Sequence, residues 1–299
     1  MMKHILPGIT FSLLSLTAFS QVKQATSELQ KEVENKLSIP NAHFGVAFKD
    51  LQTGATLLLN EKDNFHAAST MKTPVLVELY KQAAEGRFSL TDSILIKNSF
   101  SSIVDGSVYA LDSADDSQTE LYKHIGEKST IASLAYQMII QSSNLATNIL
   151  IELVKPDNIM STMKALGAND IRVLRGVEDN KAYEKGLNNT TTAFDLLLIY
   201  EKMAQGKLVN TNACQQMINT LLDQKFNEVI PALLPTDVKV AHKTGSITGV
   251  QHDSGIVFLP GGRKYVLVLL SRFDPADEKK VITAMAEVSK LVYDFVQQH

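Results

Sequence analysis

Apolar and polar positions alternate with two different periods along this chain, and the changes between them mark its elements. Residues 21–37 have apolar side chains at helical spacing, and two β-prone runs follow, Phe44 to Lys49 and Ala55 to Asn60. The residues between these runs end in Gly54 and have the composition of a hairpin turn. The chain therefore opens with a helix and two strands.

The middle of the chain, from Thr70 to about Leu222, has mostly helical periodicity. The predicted helices cover residues 75–85, 130–141, 145–154, 158–166 and 193–204. Three β-prone runs then return at residues 238–242, 255–259 and 264–271, and residues 275–298 form a closing amphipathic helix.

This order predicts an α/β (α+β) fold with one antiparallel sheet. The first two strands would pair with the last three in a five-stranded sheet flanked by the terminal helices, with the helical stretch as an insert domain. The predicted boundaries assign residues 21–66 together with 233–299 to the α/β domain and residues 67–232 to the helical domain. A ligand site is expected in the cleft between the two.

The first twenty residues have the pattern of a secretory signal peptide. Lys3 precedes an apolar run from Ile5 to Phe19, and the small residues Ala18 and Ser20 predict cleavage after Ser20. The run is shorter than the roughly 20 residues that a transmembrane helix needs. We therefore expect an exported protein, periplasmic or secreted, with no membrane anchor after cleavage.

Composition excludes several functional classes for these 299 residues. A net charge of -3 provides no basic surface for nucleic acid. The single cysteine, Cys214, cannot form an internal disulfide, and the seven histidines do not form a zinc motif. We expect no metal or other cofactor, a small-molecule substrate and a monomer.

A serine and a lysine occur three residues apart at the start of a predicted helix, in Ser69-Thr70-Met71-Lys72. Residues at this spacing share a helix face, so the Lys72 amine is expected to reach the Ser69 hydroxyl. A lysine whose pKa is lowered can take the proton of a serine and make it a nucleophile. Because the same four letters recur from Ser161 to Lys164, where a structural role is expected, the pattern alone is weak.

Two further motifs strengthen the first copy. Ser142-Ser143-Asn144 separates two predicted helices, and Lys243-Thr244-Gly245 follows a β-prone run. Either one alone is more typical of a helix N-cap or a strand end. All three together, in this order on helix, loop and strand, are a strong signal.

With these motifs the chain resembles the penicillin-recognising serine hydrolases, and most closely the class A β-lactamases. The resemblance covers essentially the whole chain after the signal peptide. It implies a β-lactamase/transpeptidase-like fold and an acyl-enzyme formed with β-lactams or peptidoglycan-like substrates. The resemblance implies that Ser69 is the nucleophile, Lys72 its proton partner and Ser142 a proton relay. Asn144 would bind the substrate amide, and Lys243 and Thr244, in the motif that ends in Gly245, would bind its carboxylate. The backbone N–H groups of Ser69 and Ser246 would form the oxyanion hole.

Three departures from the class A pattern bear on the reaction. Ser143 stands where the family has an aspartate that supports the loop. No arginine or lysine lies between Lys243 and Arg263, so the carboxylate would depend on Lys243, Thr244 and Ser142.

The third departure concerns the loop glutamate that activates the deacylating water in class A enzymes. Glu178 follows Arg175 near the expected position but lacks the asparagine four residues later, where Ala182 stands. Glu184 begins a literal Glu-x-x-Leu-Asn string but lies close to the end of the loop. Glu178 is favoured, with Glu184 as the alternative; both could instead be solvated loop carboxylates.

Other functions remain open at this point. The same fold would suit a D-alanyl-D-alanine peptidase, an esterase-like hydrolase or a catalytically silent penicillin-binding module. A Ser-His-Asp triad can also be drawn from Ser69, one of His66, His242 and His252, and Asp253, although no Gly-x-Ser-x-Gly elbow surrounds Ser69.

Overall fold

A computed structural model describes residues 24–299 of the chain. The predicted signal peptide lies outside these residues. So does Ser20-Gln21-Val22-Lys23, which also fits the Ser-x-x-Lys pattern. Helix α1 covers residues 24–36. No helix in the described part is long and apolar enough to cross a membrane.

The predicted five-stranded antiparallel sheet is confirmed. Its strands are β1 (His43–Asp50), β2 (Thr56–Leu59), β9 (Lys239–Ile247), β10 (Val250–Phe258) and β11 (Lys264–Arg272). They are ordered β2-β1-β11-β10-β9, so the last strand in the chain, β11, lies in the middle of the sheet and pairs with the first, β1. This arrangement leaves β9 at an edge.

The segment between β2 and β9 is largely helical, as its periodicity predicts. Its helices are α2 (Lys72–Ala84), α3 (Ile131–Ile140), α4 (Asn144–Val154), α5 (Pro156–Leu166), α6 (Asn180–Glu184), α7 (Ala193–Ala204) and α8 (Thr211–Leu222). Helix α9 (Glu278–Gln298) closes the chain. Short antiparallel pairs, which the sequence analysis did not predict, join β3 (Phe65–His66) to β8 (Thr190–Thr191), β4 (Ser93–Leu95) to β7 (Lys128–Thr130), and β5 (Phe100–Ser101) to β6 (Val108–Tyr109).

Two apolar cores lie on opposite faces of the sheet because strand side chains alternate between faces. On one face, Val46 and Leu267 pack with α1 and α9 residues such as Val33 and Val292. On the other, Ala47 and Val268 join the core of the helical segment. The domain boundaries given above stay a prediction.

The observed strand and helix ends differ from the predicted ones near the motifs. Strand β9 continues through Lys243-Thr244-Gly245 to Ile247, whereas the β-prone run stopped before the motif. A 3₁₀ turn, Ala68–Met71, precedes α2, so Ser69 lies in the turn and Lys72 begins the helix. The pairing of β9 with β10 explains the first difference, because a strand can extend through polar residues when a partner supplies the hydrogen bonds.

Candidate active site

Ser69 lies where the 3₁₀ turn meets the edge strand β9. Its side chain is half-buried, and Ala68 before it has φ 43°, a left-handed conformation that is uncommon for a residue with a side chain. A Cβ added to Gly245 would lie 3.0 Å from the backbone nitrogen of Ser69. Only glycine at this position lets the strand approach the turn so closely.

Lys72 is fully buried, and its amine is held by the loop between α3 and α4. The amine donates to the Ser142 carbonyl oxygen at 2.5 Å, to the Ser142 hydroxyl at 3.1 Å and to Asn144 Oδ1 at 3.0 Å. Among residues 24–299 it makes no hydrogen bond to Ser69, contrary to the spacing argument, because the turn before α2 is 3₁₀ and the loop groups occupy the donors.

Burial changes the proton affinity of Lys72. Removal from water lowers the pKa of the amine to about 7, and the carboxylates of Asp116 and Glu178 partly offset this effect. A substantial fraction of the amine is therefore neutral near pH 7 and able to accept a proton.

Lys243 is the second fully buried lysine of the site. Its amine donates to the Ser142 hydroxyl at 3.1 Å and to the Thr244 carbonyl at 2.9 Å. Burial, then repulsion from Lys72, holds its pKa well below the ordinary value, against an opposing contribution from Asp253. The Ser142 hydroxyl thus accepts from two buried amines at once.

The Ser142-Ser143-Asn144 turn has an unusual backbone. Ser142 has φ 59°, in the left-handed region, and Ser143 is the N-cap of α4, its hydroxyl accepting from the Ala146 nitrogen at 3.2 Å. The motif is therefore a helix cap, and the same turn holds the Lys72 amine.

Glu178 lies beside this turn. Its Oε1 accepts from Asn144 Nδ2 at 2.9 Å, and its backbone has φ 62°. Burial raises the pKa of Glu178, the Asn144 hydrogen bond lowers it, and the negative charge of Asp116 raises it further.

The segment around Glu178 is clamped to α4 by Asn148, which is 1% exposed. The Val177 nitrogen donates to Asn148 Oδ1 at 2.7 Å, and Asn148 Nδ2 donates to the Val177 carbonyl at 3.0 Å. A Cβ on Gly176 would lie 2.4 Å from the same Oδ1. Arg175 closes the base of the loop by donating to the Leu187 carbonyl at 2.9 Å.

Glu184 has different surroundings. It lies in α6 with its side chain exposed to solvent, and it does not line the clefts next to Ser69. The sequence analysis missed α6, whose N-cap Asp179 accepts from the Ala182 nitrogen at 3.1 Å.

The histidines of the alternative triad make other contacts. The His66 ring accepts from the Ala68 nitrogen at 3.0 Å, and His252 bonds the His66 carbonyl through Nε2 at 2.8 Å. His242 pairs with Asp253 at 2.8 Å. Among residues 24–299 no histidine is hydrogen-bonded to Ser69, and this geometry does not form a triad.

The repeated Ser-x-x-Lys copy lies on the solvent side of α5. Ser161 and Lys164 are both exposed, whereas Ser69 is half-buried and Lys72 buried.

Two adjoining clefts open on Ser69. One, of about 390 Å³, is lined by Ser142, Asn144, Thr244 and Ser246 as well as Ser69. The other, of about 300 Å³, adds Glu178 to Ser69, Asn144 and Ser246. The structure therefore brings together the three motifs and Glu178.

Comparison with known proteins decides the family. The family model described as "Beta-lactamase enzyme family" matches residues 25–296. The chain belongs to the β-lactamase enzyme family. Among related sequences, β-lactamase VEB-1 of Pseudomonas aeruginosa is 23% identical over 94% of this chain and 95% of its own length. β-Lactamase ROB-1 of Haemophilus influenzae is 25% identical over 94% of this chain and 89% of its own.

A solved structure supports this membership. The structure of PBP-A is 25% identical and superposes with a TM-score of 0.78, covering 91% of this chain and 97% of PBP-A. The β-lactamase-family fold and the recognition of the family from three short motifs are thus confirmed.

The sequence analysis missed several residues that organise this β-lactamase-family site. Asp116 contacts the start of α4, Asn148 clamps Val177, and Asn189 Oδ1 accepts from the Leu174 nitrogen at 2.8 Å. Each is a polar residue that is buried in the fold. Only their contacts distinguish them from ordinary turn and helix residues, so no sequence signal identifies them.

Proposed function

We propose that this protein is an exported serine β-lactamase that opens the β-lactam ring through an acyl-enzyme on Ser69. The observation that carries the proposal is the buried pair of amines, Lys72 and Lys243, that meet at the Ser142 hydroxyl beside Ser69. Burying two amines side by side is costly and lowers the pKa of both, and groups perturbed in this way cluster at functional sites.

Acylation follows from the protonation state of Lys72. The neutral amine accepts the Ser69 proton while Oγ bonds to the β-lactam carbonyl carbon. The carbon–nitrogen bond of the ring breaks, and the proton reaches the leaving nitrogen through Ser142, which contacts both amines. The backbone N–H groups of Ser69 and Ser246 stabilise the oxyanion.

Binding of an anionic substrate depends on the β9 edge. The Lys243 amine contacts Ser142 and the Thr244 carbonyl, and a substrate carboxylate beside it favours its protonated, positive form. Thr244 and Ser142 line the cleft as hydroxyl donors, while Asn144 binds the side-chain amide of the substrate. The absence of a further cation between Lys243 and Arg263 leaves the carboxylate to these three residues.

Deacylation is assigned to Glu178. Its raised pKa, its position on the second cleft beside Ser69 and its hydrogen bond to Asn144 suit a carboxylate that activates water. Glu184 is exposed on α6 and lacks these contacts.

The known relatives support a β-lactam as the substrate. VEB-1 and ROB-1 are named β-lactamases. A substituted form of PBP-A, 26% identical to this chain, has been solved as an acyl-enzyme complex with penicillin G.

The test combines turnover with covalent mass. Wild type mixed with a chromogenic cephalosporin should hydrolyse it, and Ser69→Ala should neither turn over nor gain the adduct mass. Ser161→Ala is the matched control that should behave as wild type in both measurements. Adduct formation by Ser69→Ala would refute the nucleophile assignment.

A second candidate is a penicillin-binding hydrolase that deacylates slowly, and Ala182 favours it because it stands where the class A pattern has an asparagine, four residues after the glutamate. Glu178→Gln keeps the size of the side chain but cannot take a proton, so it should trap the acyl-enzyme, while Glu184→Gln turns over normally. A long-lived adduct on wild type would select the second candidate; trapping only in Glu184→Gln would transfer the role.

Export is inferred from the signal-peptide pattern in the first twenty residues, followed by action as a monomer in the periplasm or outside the cell. N-terminal sequencing of protein recovered from the periplasm should start at Gln21. An N-terminus at Met1 in that fraction would refute cleavage.

A further inference from the structure

The start of α4 is held by a carboxylate from another segment. Asp116, 6% exposed, lies in the loop before α3, and its Oδ2 accepts from the nitrogens of Asn144 and Leu145, each at 2.9 Å. Oδ2 also accepts from the Tyr122 hydroxyl at 3.0 Å, and Oδ1 accepts from the Gln118 nitrogen at 3.0 Å.

This carboxylate complements the cap that Ser143 provides. The first backbone N–H groups of a helix lack partners within the helix and carry partial positive charge. Ser143 satisfies only the Ala146 nitrogen, and Asp116 satisfies the two before it. Position 143 itself is uncharged, so the negative charge at this helix end comes from Asp116.

The backbone that Asp116 binds lies next to a strained residue. Ser142 has φ 59°, which a serine adopts at a cost and keeps only when its surroundings hold it. Asn144, whose nitrogen Asp116 binds, uses its side chain to contact both Lys72 and Glu178. Contacts from one carboxylate thus determine where the groups around the Lys72 amine lie.

We propose that Asp116 is a positioning residue that orders Ser142 and Asn144 around the Lys72 amine and supplies the negative charge that position 143 lacks. The proposal rests on the acylation chemistry described above. The negative charge of Asp116 also favours the protonated form of Lys72, whose charged neighbours are Asp116, Glu178 and Lys243.

The test is the pH dependence of acylation, measured by rapid mixing with a fluorescent penicillin. Asp116→Asn keeps the shape but removes the charge, so the maximal acylation rate should fall at least tenfold. The rise of the rate with pH should also move to lower pH, because Lys72 loses a neighbouring negative charge. Asp116→Ala should lower the maximal rate further.

Asp195→Asn is the matched control. Asp195 is likewise a buried carboxylate, and its Oδ2 accepts from two backbone nitrogens, those of Asp170 and Ile171, each at 2.7 Å. Asp195→Asn should lower the melting temperature, as Asp116→Asn should, but leave the pH dependence of acylation unchanged.

Hydrogen exchange of residues 142–147 provides a readout that needs no substrate. These amides should exchange faster in Asp116→Asn than in wild type or Asp195→Asn. An unchanged exchange rate there, or an unchanged pH profile of acylation, would overturn the proposal. If wild type is not acylated at all, the proposed function fails, and hydrogen exchange alone decides the role of Asp116.

Discussion

Asn148→Ala removes the clamp that attaches the Glu178 segment to α4. The side chain makes two hydrogen bonds with Val177, at 2.7 and 3.0 Å, and a longer one to the Tyr109 hydroxyl at 3.3 Å. Each hydrogen bond contributes about 0.5–1.5 kcal/mol, and a buried group left unpaired costs more. The substitution should therefore lower the free energy of unfolding by about 2–4 kcal/mol.

The kinetic effect should fall on deacylation. Val177 precedes Glu178, whose φ of 62° needs a fixed backbone, whereas the Lys72 amine is held by Ser142 and Asn144 and makes no hydrogen bond with Asn148. Acylation should persist. Turnover should fall at least tenfold, which corresponds to about 1.4 kcal/mol in the barrier, and the acyl-enzyme should accumulate.

The assay pairs urea denaturation with intact-protein mass after mixing with a cephalosporin. The matched control is Asn158→Ala on α5. This substitution removes one hydrogen bond, of 2.8 Å, from the Asn158 side chain to the Val154 carbonyl. It should be mildly destabilising and kinetically silent. If Asn148→Ala is destabilised as expected but deacylates like wild type, the clamp does not position Glu178, and our reasoning is refuted.

Two other predictions concern the nucleophile. Because burial lowers the pKa of Lys72 to about 7 and the neutral amine is the base, the acylation rate should rise with pH through about 7 and then level off. Rapid-mixing experiments measure this rate. A rate that falls over the same interval would mean that the protonated amine is the active form. Gly245→Ala places a Cβ 3.0 Å from the Ser69 nitrogen and 3.1 Å from the Thr70 nitrogen, so β9 must move away. Penicillin labelling should slow at least tenfold at a stability cost of about 1–3 kcal/mol, and wild-type labelling by this variant would show that the close approach is dispensable.

The sequence by itself determined the five strands of the main sheet, the longer helices between them and the motif residues. Elements such as α4 and β11 can be identified from apolar periodicity, because the burial of one face leaves a pattern in neighbouring residues of the sequence. Ser69, Ser142 and Lys243 stand out because each belongs to a motif of contiguous residues. The family followed from the order of these motifs.

The tertiary structure decided which polar residues act together. Glu178 and Glu184 are six positions apart and equally ordinary in sequence, but the loop turns only Glu178 towards Asn144. The partners of the Lys72 amine come from a turn some 70 residues away, since the chain brings α4 beside α2. Asp116 has no motif at all, because its role depends on a helix end that only folding places next to it.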